Sequence, residues 1–197
     1  MPFSRAEGLR VPNDGLVYEG LVSFEAEFSV ILVRSREGEV RFWDSPRNEH
    51  AGGILDRSLL PAGEQVEAQV ESARDLARKV ADRLGYVGVL TLEFFATAEG
   101  PVFNEMAPRV HNSGHWTIEG AATSQFENHI RAVAGLPLGD TRTVARAVEM
   151  VNLIGEAGLV SPASLGPHDT LTLYGKREAR PGRKMGHITR RLGPRKD

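Results

Sequence analysis

Between Asn104 and Gln125 the chain reads NEMAPRVHNSGHWTIEGAATSQ, a stretch that crowds a carboxylate, carboxamides, an arginine and two histidines around Glu105, Arg109, His111, Asn112 and His115. Pro108 and Gly114 interrupt any regular helix or strand through it, so the segment reads as a shaped loop and not as a solvated helix face.

Upstream stands another carboxylate whose spacing matters. Val87 to Thr97 and Pro101 to Met106 read as two strands around Ala98-Glu99-Gly100. With the turn centred on Glu99, Glu93 and Glu105 fall opposite each other. Like charges so placed are destabilising unless a cation lies between them or one is protonated. A hard divalent ion, Mg2+ or Mn2+, is the natural occupant, with the carboxamide oxygen of Asn104 as a further ligand. The other reading is a register slipped by one residue, with both carboxylates solvated at a sheet edge.

A second constellation lies near the C-terminus. Tyr174-Gly-Lys176 is followed by Arg180-Pro-Gly-Arg183-Lys184-Met-Gly-His187. Its cations, shaped by Pro181, Gly182 and Gly186, can converge on a phosphate, arginine as a planar fork and lysine as a point charge. A solvated basic loop is the plainer alternative. His111, His115 and His129 lack the spacing of a zinc-binding helix, and the chain has no cysteine to assist. His50 sits in a polar loop, where a surface or capping role competes with a functional one.

The elements that must position these groups are legible in outline. Leu16 to Val22 and Ala26 to Val33 read as strands, and Ser35 to Gly38 turns into a strand over Glu39 to Trp43. From Glu64 to Leu84 the apolar positions Val66, Val70, Ala73, Ala77, Val80 and Leu84 form the stripe of one amphipathic helix closed by Gly85. Ser124 caps a second helix with Glu127 completing a capping box, and Phe126, Ile130 and Val133 are its expected buried side. After Gly135-Leu-Pro, short strands at Val148 to Leu153, Thr170 to Tyr174 and His187 to Arg190 suggest a small all-β unit.

At 197 residues and 41% hydrophobic content the chain can bury a core. Its 24 basic and 26 acidic residues leave a net charge of -2, which gives no global attraction to nucleic acid or an anionic membrane. No apolar run approaches the roughly 20 residues that span a bilayer. A cytoplasmic location is the default expectation.

Four separated motifs then carry a resemblance: Asn104-Glu105-Met-Ala-Pro-Arg109-Val-His111-Asn112-Ser113-Gly114-His115-Trp116-Thr117, Ser124-Gln125-Phe126-Glu127-Asn-His129, Gly135-Leu-Pro137-Leu-Gly139, and Tyr174-Gly-Lys176 through Gly186-His187. In this order, over residues 16 to 190, the chain resembles the C-terminal part of the N5-carboxyaminoimidazole ribonucleotide synthetases, ATP-grasp ligases of purine biosynthesis. It departs at Val110, where that family commonly has proline.

The resemblance implies an ATP-dependent carboxylation of aminoimidazole ribonucleotide by bicarbonate through carboxyphosphate. It implies that Glu19, Gly20, Leu21 and Val22 form the hinge strand that reads the adenine of ATP, that Glu27 accepts the ribose hydroxyls, and that His50 lies near the nucleotide phosphates. Glu93 and Glu105, with Asn104, would hold Mg2+. Arg109, His111 and Asn112 would hold bicarbonate, and Lys176 and Arg183 the phosphate of the ribonucleotide.

The implied fold is α+β: residues 1–15 irregular, 16–139 the C-terminal half of an ATP-grasp domain, and 140–197 a small β-rich domain with the basic loop. Members of that family are longer at the N-terminus, so a homodimer or a complementing N-terminal half is the expected partner. A truncated, non-catalytic remnant that binds ligand or partner without turnover is the alternative.

Overall fold

The alternation along β1 (Ala26–Arg34) decides the layering of the molecule. Phe28, Val30 and Leu32 face one way and Ile31 and Val33 the other, and all five are fully buried because both faces of the strand are covered. The computed structural model that reveals this describes residues 19–158 and 165–194.

Around β1 lie β2 (Val40–Phe42), β3 (Arg47–Ala51), β4 (Ile54–Leu60), β5 (Gly88–Thr97), β6 (Gly100–Ala107), β7 (Ala145–Ile154), β8 (Asp169–Leu173) and β9 (Lys184–Pro194). Among the described residues they form one sheet in the order β6-β5-β1-β3-β4-β7-β9-β8, with β2 paired to β1. Every pairing is antiparallel. The C-terminal strands join this same sheet, since β7 pairs β4 from Leu60↔Val148 to Arg57↔Val151.

On one face Ala73, Ala77 and Ala81 pack against Phe28, Val30, Leu32, Leu90 and Leu92. These alanines belong to α2 (Val70–Arg83) and let the helix approach the sheet closely. The expected single helix over Glu64 to Leu84 is in fact two pieces, α1 (Glu64–Glu67) and α2. The break falls at Gln69, whose backbone turns to φ -109 and whose side chain donates to the Thr97 carbonyl at 3.0 Å. Leu84 is 54% exposed, because it stands past the last turn, where Gly85 (φ +56) redirects the chain.

The opposite face is covered by Trp116 with the short α3 (Thr117–Gly120) that follows it and by α4 (Gln125–Ala134), with Ile31, Val33, Trp43, Val89, Ala132 and Met150 in the core between them. Ser124 caps α4 as expected, accepting from the Glu127 amide at 3.2 Å. The capping box is only half made, because the Glu127 carboxylate pairs with Arg131 at 2.8 Å. The buried side also differs from expectation. Gln125, Asn128 and Ala132 face inward, and Phe126, Ile130 and Val133 are 38%, 61% and 37% exposed. Hydrogen bonds decide the rotation: Asn128 exchanges two with the backbone of Gly139, and Gln125 two with that of His111.

Of the expected strand over Leu16 to Val22, residues 16–18 lie outside the described residues. Glu19 to Val22 are not a strand, since no described strand pairs with them and a strand exists only through its ladder. No helix among the described residues is long and apolar enough to cross a membrane, which says nothing of a β-barrel.

Candidate functional site

The β5–β6 hairpin turns more tightly than its sequence suggests. Thr97 pairs with Gly100 (φ +119), leaving the two-residue loop Ala98-Glu99, and the ladder runs on to Phe94↔Phe103. Continued without interruption it would set Glu93 against Asn104 and turn Glu105 to the other face. A β-bulge at Asn104 absorbs one residue and restores the pairing Glu93↔Glu105. The expected opposition is therefore present, reached by a two-residue turn plus a bulge and not by a turn centred on Glu99.

His111 comes to the same place from the following loop. Gln125, fully buried, grips it by its backbone: Oε1 accepts from the His111 amide at 2.9 Å and Nε2 donates to its carbonyl at 2.6 Å. Thr117 locks the loop further, donating to the Gly114 carbonyl at 2.6 Å while accepting from the Gln125 amide at 3.0 Å. Gly114 has to be glycine, because a Cβ there would lie 2.6 Å from Gln125 Oε1 and 2.9 Å from Ile31 Cδ1.

The imidazole's tautomer follows from its neighbours. The Ser113 amide donates to His111 Nδ1 at 3.3 Å, which leaves the proton on Nε2, pointed at Glu93 Oε1 at 3.1 Å. Burial holds His111 down to about 4, and burial followed by the Glu105 and Glu27 charges raises Glu93 to about 7. Between those values both groups are neutral, so the contact is a hydrogen bond there and not an ion pair. One ligand atom from each of Glu93, Glu105 and His111 lies within 4.8 Å of the others.

Facing the carboxylates is the connection between β8 and β9. Lys176 Nζ donates to the Lys184 carbonyl at 2.5 Å and lies over the Tyr174 ring, and Arg183 donates to the Glu178 carbonyl at 3.2 Å. Gly186 admits the close approach of β8, since a Cβ there would collide with the Thr172 carbonyl. Burial lowers the Lys184 ammonium from its ordinary value, and the Glu93 carboxylate acts against that shift.

A cavity of about 510 Å³ separates the two sides, and His50, Glu93, Glu105, His111, Asn112, Lys176 and Arg183 line it together with Lys184. Glu27 stands behind this wall, its Oε2 2.6 Å from His50 Nδ1. Arg109 is exposed and donates to the Val110 carbonyl at 3.0 Å, but its charge is felt at Glu93, His111 and Lys184. Asn104 is exposed at the bulge, and Glu19, Gly20, Leu21 and Val22 are not part of the cavity wall. A second cavity, of about 550 Å³ beside Asp44, Leu60, Arg74 and Arg146, holds none of these groups.

Two participants escaped the sequence reading. Lys184 stood within the basic run with nothing to separate it from its neighbours. Gln125 read as the first residue of a capped helix, and no local signal marks a side chain whose partners lie 14 residues back.

The donors suit a hard cation: two carboxylates and a neutral imidazole whose Nε2 would have to give up its bond to Glu93. Beside them Asn112 keeps both amide atoms, Oδ1 and Nδ2, buried without a hydrogen-bond partner. Orphans of this kind mark a place for a polar ligand able to donate and accept.

The fold that presents these carboxylates and the basic loop is shared with a known class of enzymes. The ATP-grasp domain model matches residues 4–126, and the chain belongs to the ATP-grasp family. The model of the phosphoribosylaminoimidazole carboxylase C-terminal domain matches residues 149–192.

The relatives it resembles are more particular. An N5-carboxyaminoimidazole ribonucleotide synthase of Brucella melitensis is 53% identical over 176 residues, covering 88% of this chain and 48% of that protein. The structure of the synthetase of Thermus thermophilus matches with a TM-score of 0.81 at 54% identity, over 88% of this chain and 48% of that one. The Aspergillus clavatus synthase, solved with ADP and 5-aminoimidazole ribonucleotide, matches with a TM-score of 0.79 at 34% identity, over 86% and 47% of the two chains. The chain thus spans about half the length of the relatives it matches.

Proposed function

We propose that this chain supplies the metal and substrate half of an ATP-dependent ligase that carboxylates 5-aminoimidazole ribonucleotide with bicarbonate. The observation that carries this reading is the convergence, on one cavity, of Glu93, Glu105 and His111 from one side and Lys176, Arg183 and Lys184 from the other. Anionic phosphates need both: cations to grip one end, and a metal-bearing carboxylate pair at the other. The Brucella melitensis and Thermus thermophilus relatives carry this activity in their names, and the Aspergillus clavatus neighbour was solved with ADP and the ribonucleotide.

Residues 16–139 serve in this reading as the second half of the ATP-grasp unit and 140–197 as a β-rich domain bearing the basic loop. Glu93 and Glu105 would hold Mg2+ or Mn2+, which would supply charge neutralisation at the phosphates of ATP. Asn104 stands beside them. Glu19 to Val22 read the adenine, Glu27 the ribose, and His50 lies at the phosphates. Bicarbonate oxygen attacks the γ-phosphorus, the bond to the β-phosphate oxygen breaks, and carboxyphosphate and ADP result. The amine of the ribonucleotide then takes the carboxyl group and inorganic phosphate leaves.

Asn112, with an unpartnered donor and acceptor, and His111 orient bicarbonate, and the Arg109 charge favours the anion. Lys176 and Arg183 grip the ribonucleotide phosphate. The remaining half of the site comes from an upstream ATP-grasp half, with a homodimer as the expected assembly in the cytoplasm.

Calorimetric titration with the ribonucleotide tests the basic loop. Replacing Lys176 or Arg183 by alanine is expected to weaken binding by about tenfold or more, about 1.4 kcal/mol. Binding unchanged in both variants would overturn the assignment.

A further inference from the structure

Behind the cavity, three aromatic side chains that the proposed chemistry leaves unused form a chain of hydrogen bonds. The Tyr174 hydroxyl lies 2.8 Å from His115 Nδ1 and 2.8 Å from His187 Nδ1, and the two imidazoles stand 5.1 Å apart. Each belongs to a different segment. His115 closes the loop that carries His111 and Asn112, Tyr174 opens the loop that carries Lys176 and Arg183, and His187 lies on β9 three residues beyond Lys184.

A phenol has one proton to give. Between two Nδ1 atoms it donates to one and accepts from the other, so one imidazole carries its proton on Nδ1 and the other on Nε2. Both rings are held neutral by burial, His115 at about 3 and His187 at about 4, and His187 is fully buried. Either direction of donation satisfies the hydroxyl and leaves His187 Nε2 buried without a hydrogen-bond partner, and a neutral, desolvated chain of this kind resists rearrangement when either loop moves.

We propose that the Tyr174 hydroxyl is a positioning group that couples the ribonucleotide-phosphate loop to the His111–Asn112 loop through His115, with His187 as its fixed anchor. Occupation of the basic loop by phosphate is thereby transmitted to the groups that hold the carboxyl donor. The inference rests on the functional reading above for the roles of the two loops, but not for the existence of the link.

The test uses the full chain, labelled with 15N, and ribose 5-phosphate as the probe. In the wild-type protein the imidazole nitrogen shifts are expected to report opposite tautomers for His115 and His187. The same tautomer in both rings would overturn the link without reference to any ligand. On titration, the amides of 175–184 other than Pro181 and those of 111–115 are expected to shift together. In Tyr174→Phe the first group should still shift, and the response of the second should fall by about fivefold or more. An undiminished response at 111–115 in that variant would overturn the coupling. If ribose 5-phosphate moves nothing at 175–184 in the wild type, the functional reading of that loop fails and the tautomers alone decide the link.

Discussion

Gln125 and His111 are joined by two hydrogen bonds that run in opposite directions, the carboxamide accepting from the His111 amide at 2.9 Å and donating to its carbonyl at 2.6 Å. Gln125→Ala therefore strands a buried donor and a buried acceptor, each costing about 1–3 kcal/mol. The expected result is a loss of about 2–4 kcal/mol in denaturant unfolding. Gln125→Glu can keep both bonds only as the protonated acid, and ionised it buries a charge against the His111 carbonyl, so its loss should grow as pH rises. Equal stability of Gln125→Ala and wild type would contradict the clamp.

The clamp also marks the limit of what the sequence discloses. Opposition of Glu93 and Glu105, the basic loop and the Ser124 cap were legible, because each rests on local spacing or on turn residues. The bulge at Asn104 was not, because a bulge is fixed by what the strand must reach and leaves no mark of its own. The inward face of α4 was misread for a related reason. Periodicity favours Phe126, Ile130 and Val133, yet hydrogen bonds from Gln125 and Asn128 to distant backbone fix the rotation.

That rotation has a direct consequence for stability. Ile130 is 61% exposed, so Ile130→Lys should leave the unfolding free energy within about 0.5 kcal/mol of wild type. Ala77, fully buried against the sheet, has no room for a larger side chain, and Ala77→Leu should cost about 1–3 kcal/mol or more. Denaturation midpoints of the two variants decide the matter, and a large loss at Ile130 would contradict the observed packing.

Acid should destabilise the fold before its surface carboxylates titrate fully. His111, His115 and His187 fall from 6.5 to about 4, 3 and 4 on folding, so the unfolded chain takes up protons first as pH drops below 6.5. Glu93, raised to about 7, and Glu119, also raised by burial, act in the opposite sense, contributing stability at low pH that is lost as pH rises. Three groups outweigh two, and the thermal midpoint should fall between pH 6.5 and 4.5. Without metal, Glu93→Gln should melt above wild type at pH 8 and approach it at pH 5; the reverse order would contradict the burial of that carboxylate.

Cation binding should release protons. Near pH 7 Glu93 is partly protonated, and a divalent ion held by Glu93 and Glu105 displaces that proton. Calorimetry of Mn2+ binding in buffers of different ionisation enthalpy should register the release, and Glu105→Gln should weaken binding by about tenfold or more, about 1.4 kcal/mol. Proton-neutral binding, or unchanged affinity in the variant, would remove the ion from this pair.

If this chain forms half of a ligase site, as proposed above, phosphate release by a reassembled pair will show it. The chain is mixed with the upstream half of the Brucella melitensis synthase, 53% identical over the shared part, and given Mg-ATP, bicarbonate and aminoimidazole ribonucleotide, each omitted in turn. That synthase's own two halves, mixed in the same way, serve as the control. Release should require all three substrates and be lost in Glu105→Gln. Release indifferent to the ribonucleotide, or none where the control pair is active, would contradict the proposal.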